Sequence, residues 1–158
     1  MKELSYEEIA DYFIALSNET GNLITNLKLQ KMVYYIQAWH LAFFGKKVFN
    51  KDFQAWVHGP VLPELYYDYN NFKWHPIEKD IGKEKIDEVE EKLDDEQVEL
   101  LHDVIDEYFG LPAYELERLT HEEEPWKKAR NGLEPDQPSR EKIKKEWIKK
   151  YYKQFLEN

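Results

Sequence analysis

The most apolar stretch of the chain has the length of a helix. From Met32 to Phe44 every residue is apolar or aromatic except Gln37 and His40. A helix that is apolar nearly all round is buried by its neighbours and does not present a single stripe. Thirteen residues also fall short of the roughly 20 needed to cross a bilayer. The segment therefore reads as the central core helix of a soluble domain. Thr25 or Asn26 caps its start, and Gly45 stops it by taking the left-handed C-terminal conformation without strain.

The same patterning places elements on both sides. Ser5 and Glu8 fit a capping box, and Ile9, Tyr12, Phe13 and Leu16 follow at helical spacing, so 5–18 is an amphipathic helix ended by Gly21 and Asn22. After Gly45, Lys47-Val48-Phe49 and Phe53–Val57 are short and β-prone, with the turn-like Asn50-Lys51-Asp52 between them; they predict a small hairpin that His58-Gly59-Pro60 breaks. Pro63 starts a helix running to about Phe72, since a proline costs little in the first turn. Lys73 to Gly82 is a loop. Residues 83–92 have only a weak apolar period, as a marginal exposed helix or a mobile arm would. Asp94 or Asp95 opens a stronger helix closed by Gly110, and Leu111-Pro112-Ala113 opens a shorter one. Lys127 to Arg130 follows, then a loop over 131–138, and the last helix starts at Ser139 with Ile143, Trp147, Ile148, Tyr151 and Phe155 on one face. The fold class is mainly α: a single compact helical domain, residues 1–158, with a small inserted β-hairpin.

Composition narrows the function classes. The 158 residues contain no cysteine, which removes disulfides, thiolate catalysis and cysteine-bound zinc. The start, Met1 to Glu8, is too acidic and polar for a signal peptide, so a cytoplasmic location is expected. Net charge is −10, and the window from Glu84 to Glu107, with twelve acids against Lys85 and Lys92, accounts for all of it. Residues 139–158 carry a local +4 from seven bases and three acids. Such runs are ordinarily solvated faces; the alternative is that one patch docks a partner of opposite charge. An acidic chain argues against nucleic acid as the partner.

No catalytic constellation stands out. The five histidines, His40, His58, His75, His102 and His121, show no pairing of the kind a metal site uses, so neither a metal nor any other cofactor is expected. Glycines are scattered singly, and no serine sits in a nucleophile elbow. His58 follows a strand beside a Gly-Pro turn, where its imidazole ties the turn to buried backbone groups or, alternatively, meets a partner. Thr120 reads as a cap for the turn after it, with His121 beside it. Gln37 and His40 are satisfied core groups or the rim of a groove. Tyr66, Tyr67, Tyr69, Phe72 and Trp74 are too dense to lie entirely inside, and exposed Tyr and Trp are the anchors favoured in protein contacts. A His58/His121 enzyme with a nearby carboxylate is the competing reading. It requires both rings to converge in a cleft.

Leu27 to His40, then Phe53 to Tyr66 with Ala55-Trp56-Val57-His58-Gly59-Pro60-Val61 inside it, then Leu119-Thr120-His121 and Pro125-Trp126-Lys127-Lys128-Ala129, resemble the Panacea domain, the SocA-like antitoxin family that includes phage-associated GepA-like proteins. The resemblance covers about 5–155. It implies an antitoxin that binds a co-encoded protein toxin directly, with a protease or chaperone as a further partner where a relative acts as a proteolytic adaptor. On the residue pattern above, no enzyme activity and no membrane partner are expected. Gln37, His40, His58, Tyr66, Tyr69, Trp74, His121 and Trp126 are the candidate partner contacts. Gln30, Trp56, Gly59, Pro60 and Thr120 are the structural part of the motif.

Overall fold

Two helices open the chain, α1 (Tyr6–Thr20) and α2 (Asn26–Phe44). The computed structural model describes residues 3–156. Ser5 and Glu8 form the capping box of α1, and the Thr25 side chain accepts from the Lys28 N–H at the start of α2. Gly21 and Gly45, with φ of 74° and 73°, close the two helices as left-handed caps. As the apolar run demands, α2 is buried on nearly every side: Leu29, Met32, Val33, Tyr35 and Ala38 are wholly inaccessible. Burying a large apolar side chain stabilises the fold by roughly 1.5–3 kcal/mol, so α2 is the axis on which the other elements settle.

The stretch after Gly45 pairs differently from the hairpin expected of it. Val48 and Phe49 do not form a strand. The Gln37 side chain takes the place of a partner strand, accepting from Val48 N at 2.7 Å and donating to Phe49 O at 2.8 Å. The hairpin is instead β1 (Phe53–Trp56) with β2 (Gly59–Val61), and its turn is Val57-His58. Gly59-Pro60 thus continues the hairpin and does not break it. Pro60 sits in an edge strand opposite Ala55, where its missing N–H leaves no ladder bond unmade.

α3 (Pro63–Asp68) begins at proline as expected and passes into a 3₁₀ turn at Asn70–Phe72. Residues 83–92 form α4 (Lys83–Lys92), which lies on α1: Val89 is buried, Tyr12 Oη donates to Glu90 at 2.6 Å and Lys92 Nζ lies 2.5 Å from Glu8. α5 (Asp95–Val104) is capped by Asp94 with Gln97 and widens into a π-helical turn, Ile105–Phe109. That turn lays the Tyr108 ring on Tyr35, centroids 3.9 Å apart, and turns Phe109 O to accept from Lys28 Nζ.

α6 (Ala113–Glu122) and α7 (Glu124–Arg130) follow. Thr120 does not cap α7. Its hydroxyl bonds back to Glu117 O within α6. Ser139 does not begin the last helix either: β3 (Lys142–Ile143) pairs with Phe53 and Gln54, and α8 (Lys145–Lys153) starts after it. An open edge of β1 offers unpaired backbone groups, and occupying it outweighs the helical period of 139–145. The sheet order is β2-β1-β3, and α8 packs along α2. No helix among the described residues is long and apolar enough to cross a membrane.

Candidate functional site

The first turn of α2, the β1–β2 turn, the segment after α3 and the approach to β3 enclose a groove of about 730 Å³. Trp56, Tyr66 and Trp74 supply its aromatic surface, and Gln30, His58, Lys73 and Arg140 are among its lining residues. None of its lining residues is acidic. A second hollow, about 970 Å³, lies between the end of α1, the 75–82 loop and α4, but Glu19, Glu78, Asp80, Glu84 and Glu88 line it. It holds none of the sequence-derived candidates.

The groove is built from buried amides. Gln30 is fully buried; it donates to Asn26 Oδ1 at 3.1 Å and accepts from Leu62 N at 2.9 Å, while Asn26 Nδ2 donates to Tyr66 O at 3.0 Å. This chain fixes the start of α3 against α2, so Tyr66 stands in one place. Buried amides left unpaired would cost about 1–3 kcal/mol each, which is why both ends are tied. Trp56 meets the edge of Tyr66 at 5.1 Å and carries the Arg140 guanidinium 5.0 Å above its ring. Half-buried, it forms a groove wall.

Behind that wall stands a second stack. His121 lies flat on Trp126, centroids 4.0 Å apart, and the Arg130 guanidinium is 4.7 Å from the Trp126 ring. Trp126 Nε1 donates to Trp56 O and Arg130 Nη1 donates to Ala55 O. These residues brace β1 from behind, and burial holds the His121 imidazole below its ordinary range. Trp126 and His121 are thus supports of the wall.

Beneath the hairpin turn Lys31 is completely buried. Its ammonium donates to Pro60 O at 3.2 Å, and burial pulls its pKa down to about 7, opposed by the charge of Glu117. Gly59 makes this possible. Its φ is 108°, and a β-carbon there would stand 2.7 Å from Lys31 Cε and 2.8 Å from Thr120 Oγ1. Only glycine combines that dihedral with that approach. Glu117 also holds His58, Nδ1 to Oε1 at 2.9 Å, with the His58 side chain 69% exposed. The imidazole therefore bonds to a carboxylate on the surface and not to buried backbone. A His–carboxylate pair of this kind can orient a proton acceptor, but among the described residues Glu117 is the hydrogen-bond partner of His58 and no hydroxyl nucleophile joins it. His58 and His121 do not share a cleft: one is on the rim, the other stacked behind the wall.

Of the remaining candidates, Trp74 is 76% exposed at the groove's edge. Gln37 and His40 lie in the core, His40 bonded to Lys46 O and to Gln97, and Tyr69 is buried beside Asp11 and Lys79. None of these three lines the groove, because α2 carries Gln37 and His40 two to four turns from its first turn. Lys73, Arg140, Lys31 and Glu117 escaped sequence reading. Lys73 adjoins the singled-out Trp74, and Arg140 belongs to the basic tail, but their meeting over one groove requires the β3 pairing.

A family model for the SocA-like antitoxin Panacea domain matches residues 29–127. That is more than half of the chain and narrower than the 5–155 suggested by the motifs; Arg140 and α8 lie beyond it. Among curated proteins and solved structures nothing matches the chain.

Proposed function

Because the chain belongs to the SocA-like antitoxin family with the Panacea domain, we propose that it acts as a single domain that neutralises a co-encoded toxin by direct protein contact in the cytoplasm, through the groove edged by Trp56, Tyr66 and Trp74. The family points to a binding role and not to chemistry. The observation that carries the reading is the 76% exposure of Trp74 beside Tyr66, whose backbone the buried Asn26–Gln30 amides hold, and Trp56, whose strand Trp126 and Arg130 brace from behind. Exposed, pre-oriented aromatics are what central interface anchors are made of, and a rigid frame lowers the ordering cost of association.

Growth rescue tests this. The product of the neighbouring gene is expressed with and without this chain. Toxicity relieved by the wild-type chain and not by Trp74→Ala is the expected result. Absence of toxicity, or toxicity that the wild-type chain leaves unrelieved, overturns the antitoxin role.

A further inference from the structure

One residue at the groove's edge has a backbone conformation its side chain does not favour. Lys73 has φ 55° and ψ −121°, the first central position of a type II′ turn, and His75 N closes the turn on Phe72 O at 3.0 Å. Glycine is the ordinary occupant of that position because a β-carbon strains it. Strain of this kind persists where the surrounding structure enforces it, and it clusters at ligand-binding segments. Here the turn holds Trp74 out into solvent, its ring stacked 3.9 Å from His75, and puts Lys73 on the lining of the groove.

Charge gives the second observation. In a chain of net charge −10, the groove contains no acid, and its permanently charged side chains are Lys73 and Arg140. An anion entering here meets attraction that most of the molecule denies it.

We propose that the groove takes an acidic, extended segment of the partner toxin, one apolar side chain lodging among Trp56, Tyr66 and Trp74 while flanking carboxylates meet Lys73 and Arg140. The proposal rests on the antitoxin reading and specifies the chemistry its partner must present. At a position where glycine would be unstrained, Lys73 supplies a charge to the groove lining. Arg140 arrives with β3, from outside the segment that the family model matches, so this part of the recognition belongs to this chain's own C-terminal region. A single strand of nucleic acid, which also suits aromatics beside cations, is the competing occupant; the −10 net charge disfavours it.

The test uses the full chain and the product of the neighbouring gene. Affinity is measured for the wild type, Lys73→Gly, Arg140→Glu and a distant control, Lys46→Glu, with thermal melting of each. Peptides of about twelve residues tiled across the toxin, and a fluorescent single-stranded DNA oligonucleotide, are titrated in parallel. Lys73→Gly is expected to melt no lower than the wild type because it removes the strain, yet to bind the toxin at least fivefold more weakly. Arg140→Glu should weaken binding at least tenfold and the control less than twofold. The peptides that bind should be acidic and carry an aromatic or long aliphatic side chain. If the wild type rescues growth and the groove variants rescue and bind equally well, or if the bound peptides are neutral or basic, the groove proposal falls while the antitoxin role stands. If the wild type fails to rescue, both fall. DNA binding that Arg140→Glu abolishes overturns the peptide as occupant.

Discussion

Gly59 and Lys31 are adjacent in space and depend on each other. With φ at 108° and the buried lysine 2.7 Å from where a β-carbon would stand, Gly59→Ala meets strain and a clash together. It is expected to destabilise the fold by about 2–4 kcal/mol, from strained backbone and overpacking, measured by urea denaturation. Lys31 contributes a pH dependence of determined sign. Its amine titrates near 10.5 when unfolded and near 7 when buried, so from pH 7 to 10 the unfolded chain holds more protons. Stability therefore rises with pH across that window, by on the order of 4 kcal/mol in full. Lys31→Met is expected to flatten the rise, which denaturation at pH 7 and pH 9.5 on both proteins would detect. Equal slopes in the two proteins would place the ammonium in water.

Between elements, the counterpart is Glu123, which leads from α6 into α7. Its Oε1 accepts from Tyr35 of α2 at 2.9 Å and lies 2.7 Å from the hydroxyl of Tyr152 in α8, so one carboxylate ties three helical elements. Burial raises its pKa from 4.5 to about 6, although both tyrosines work against the shift. A carboxyl with a raised folded pKa binds more protons in the native state between those values, so its contribution falls as pH climbs from about 4.5 to about 6, by roughly 2 kcal/mol. Glu123→Gln is expected to remove that fall, leaving a difference between variant and wild type that grows over this window and is constant above pH 7. The tyrosines around it, with Tyr34, Tyr35 and Tyr152 edge to face at 5.5–6.3 Å, are the part of the core that Glu123 aligns.

Across the whole molecule the governing quantity is the uneven charge. The twelve acids between Glu84 and Glu107 fall on α4, on α5 with its cap Asp94 and on the π-helical turn after it, and only a few are answered, such as Asp87 by Lys83 and Glu88 by Lys85. Exposed pairs of this kind are worth about 0–1 kcal/mol, so net repulsion remains. Raising salt from about 0.01 M to about 0.15 M shortens the screening length from about 30 Å to about 8 Å. The melting temperature is expected to rise over that range, as read by calorimetry of the isolated chain; an unchanged or falling value would mean that attractive pairs outweigh the repulsion. Binding at the groove should respond the opposite way, weakening with salt, because there the ions screen an attraction.

How much of this could be read beforehand varies with the range of the interaction responsible. The caps at Ser5, Thr25, Gly21 and Gly45, the proline start of α3 and the buried axis of α2 all follow from contacts within about four residues, and the order of residue types along the chain is sufficient to set them. The aromatic richness of 66–74 and the family motifs were legible for the same reason. What the tertiary structure decided are pairings between distant segments. Gln37 substitutes for a strand beside Val48 and Phe49, Ile143 joins Phe53 in place of helix, and Trp126 and Arg130 reach back to β1. Each depends on which backbone groups are left unsatisfied once other elements have packed, a quantity no local pattern records. The groove is of this second kind: its residues come from five separate stretches, and Arg140 stands over Trp56 only because β3 fills an open edge.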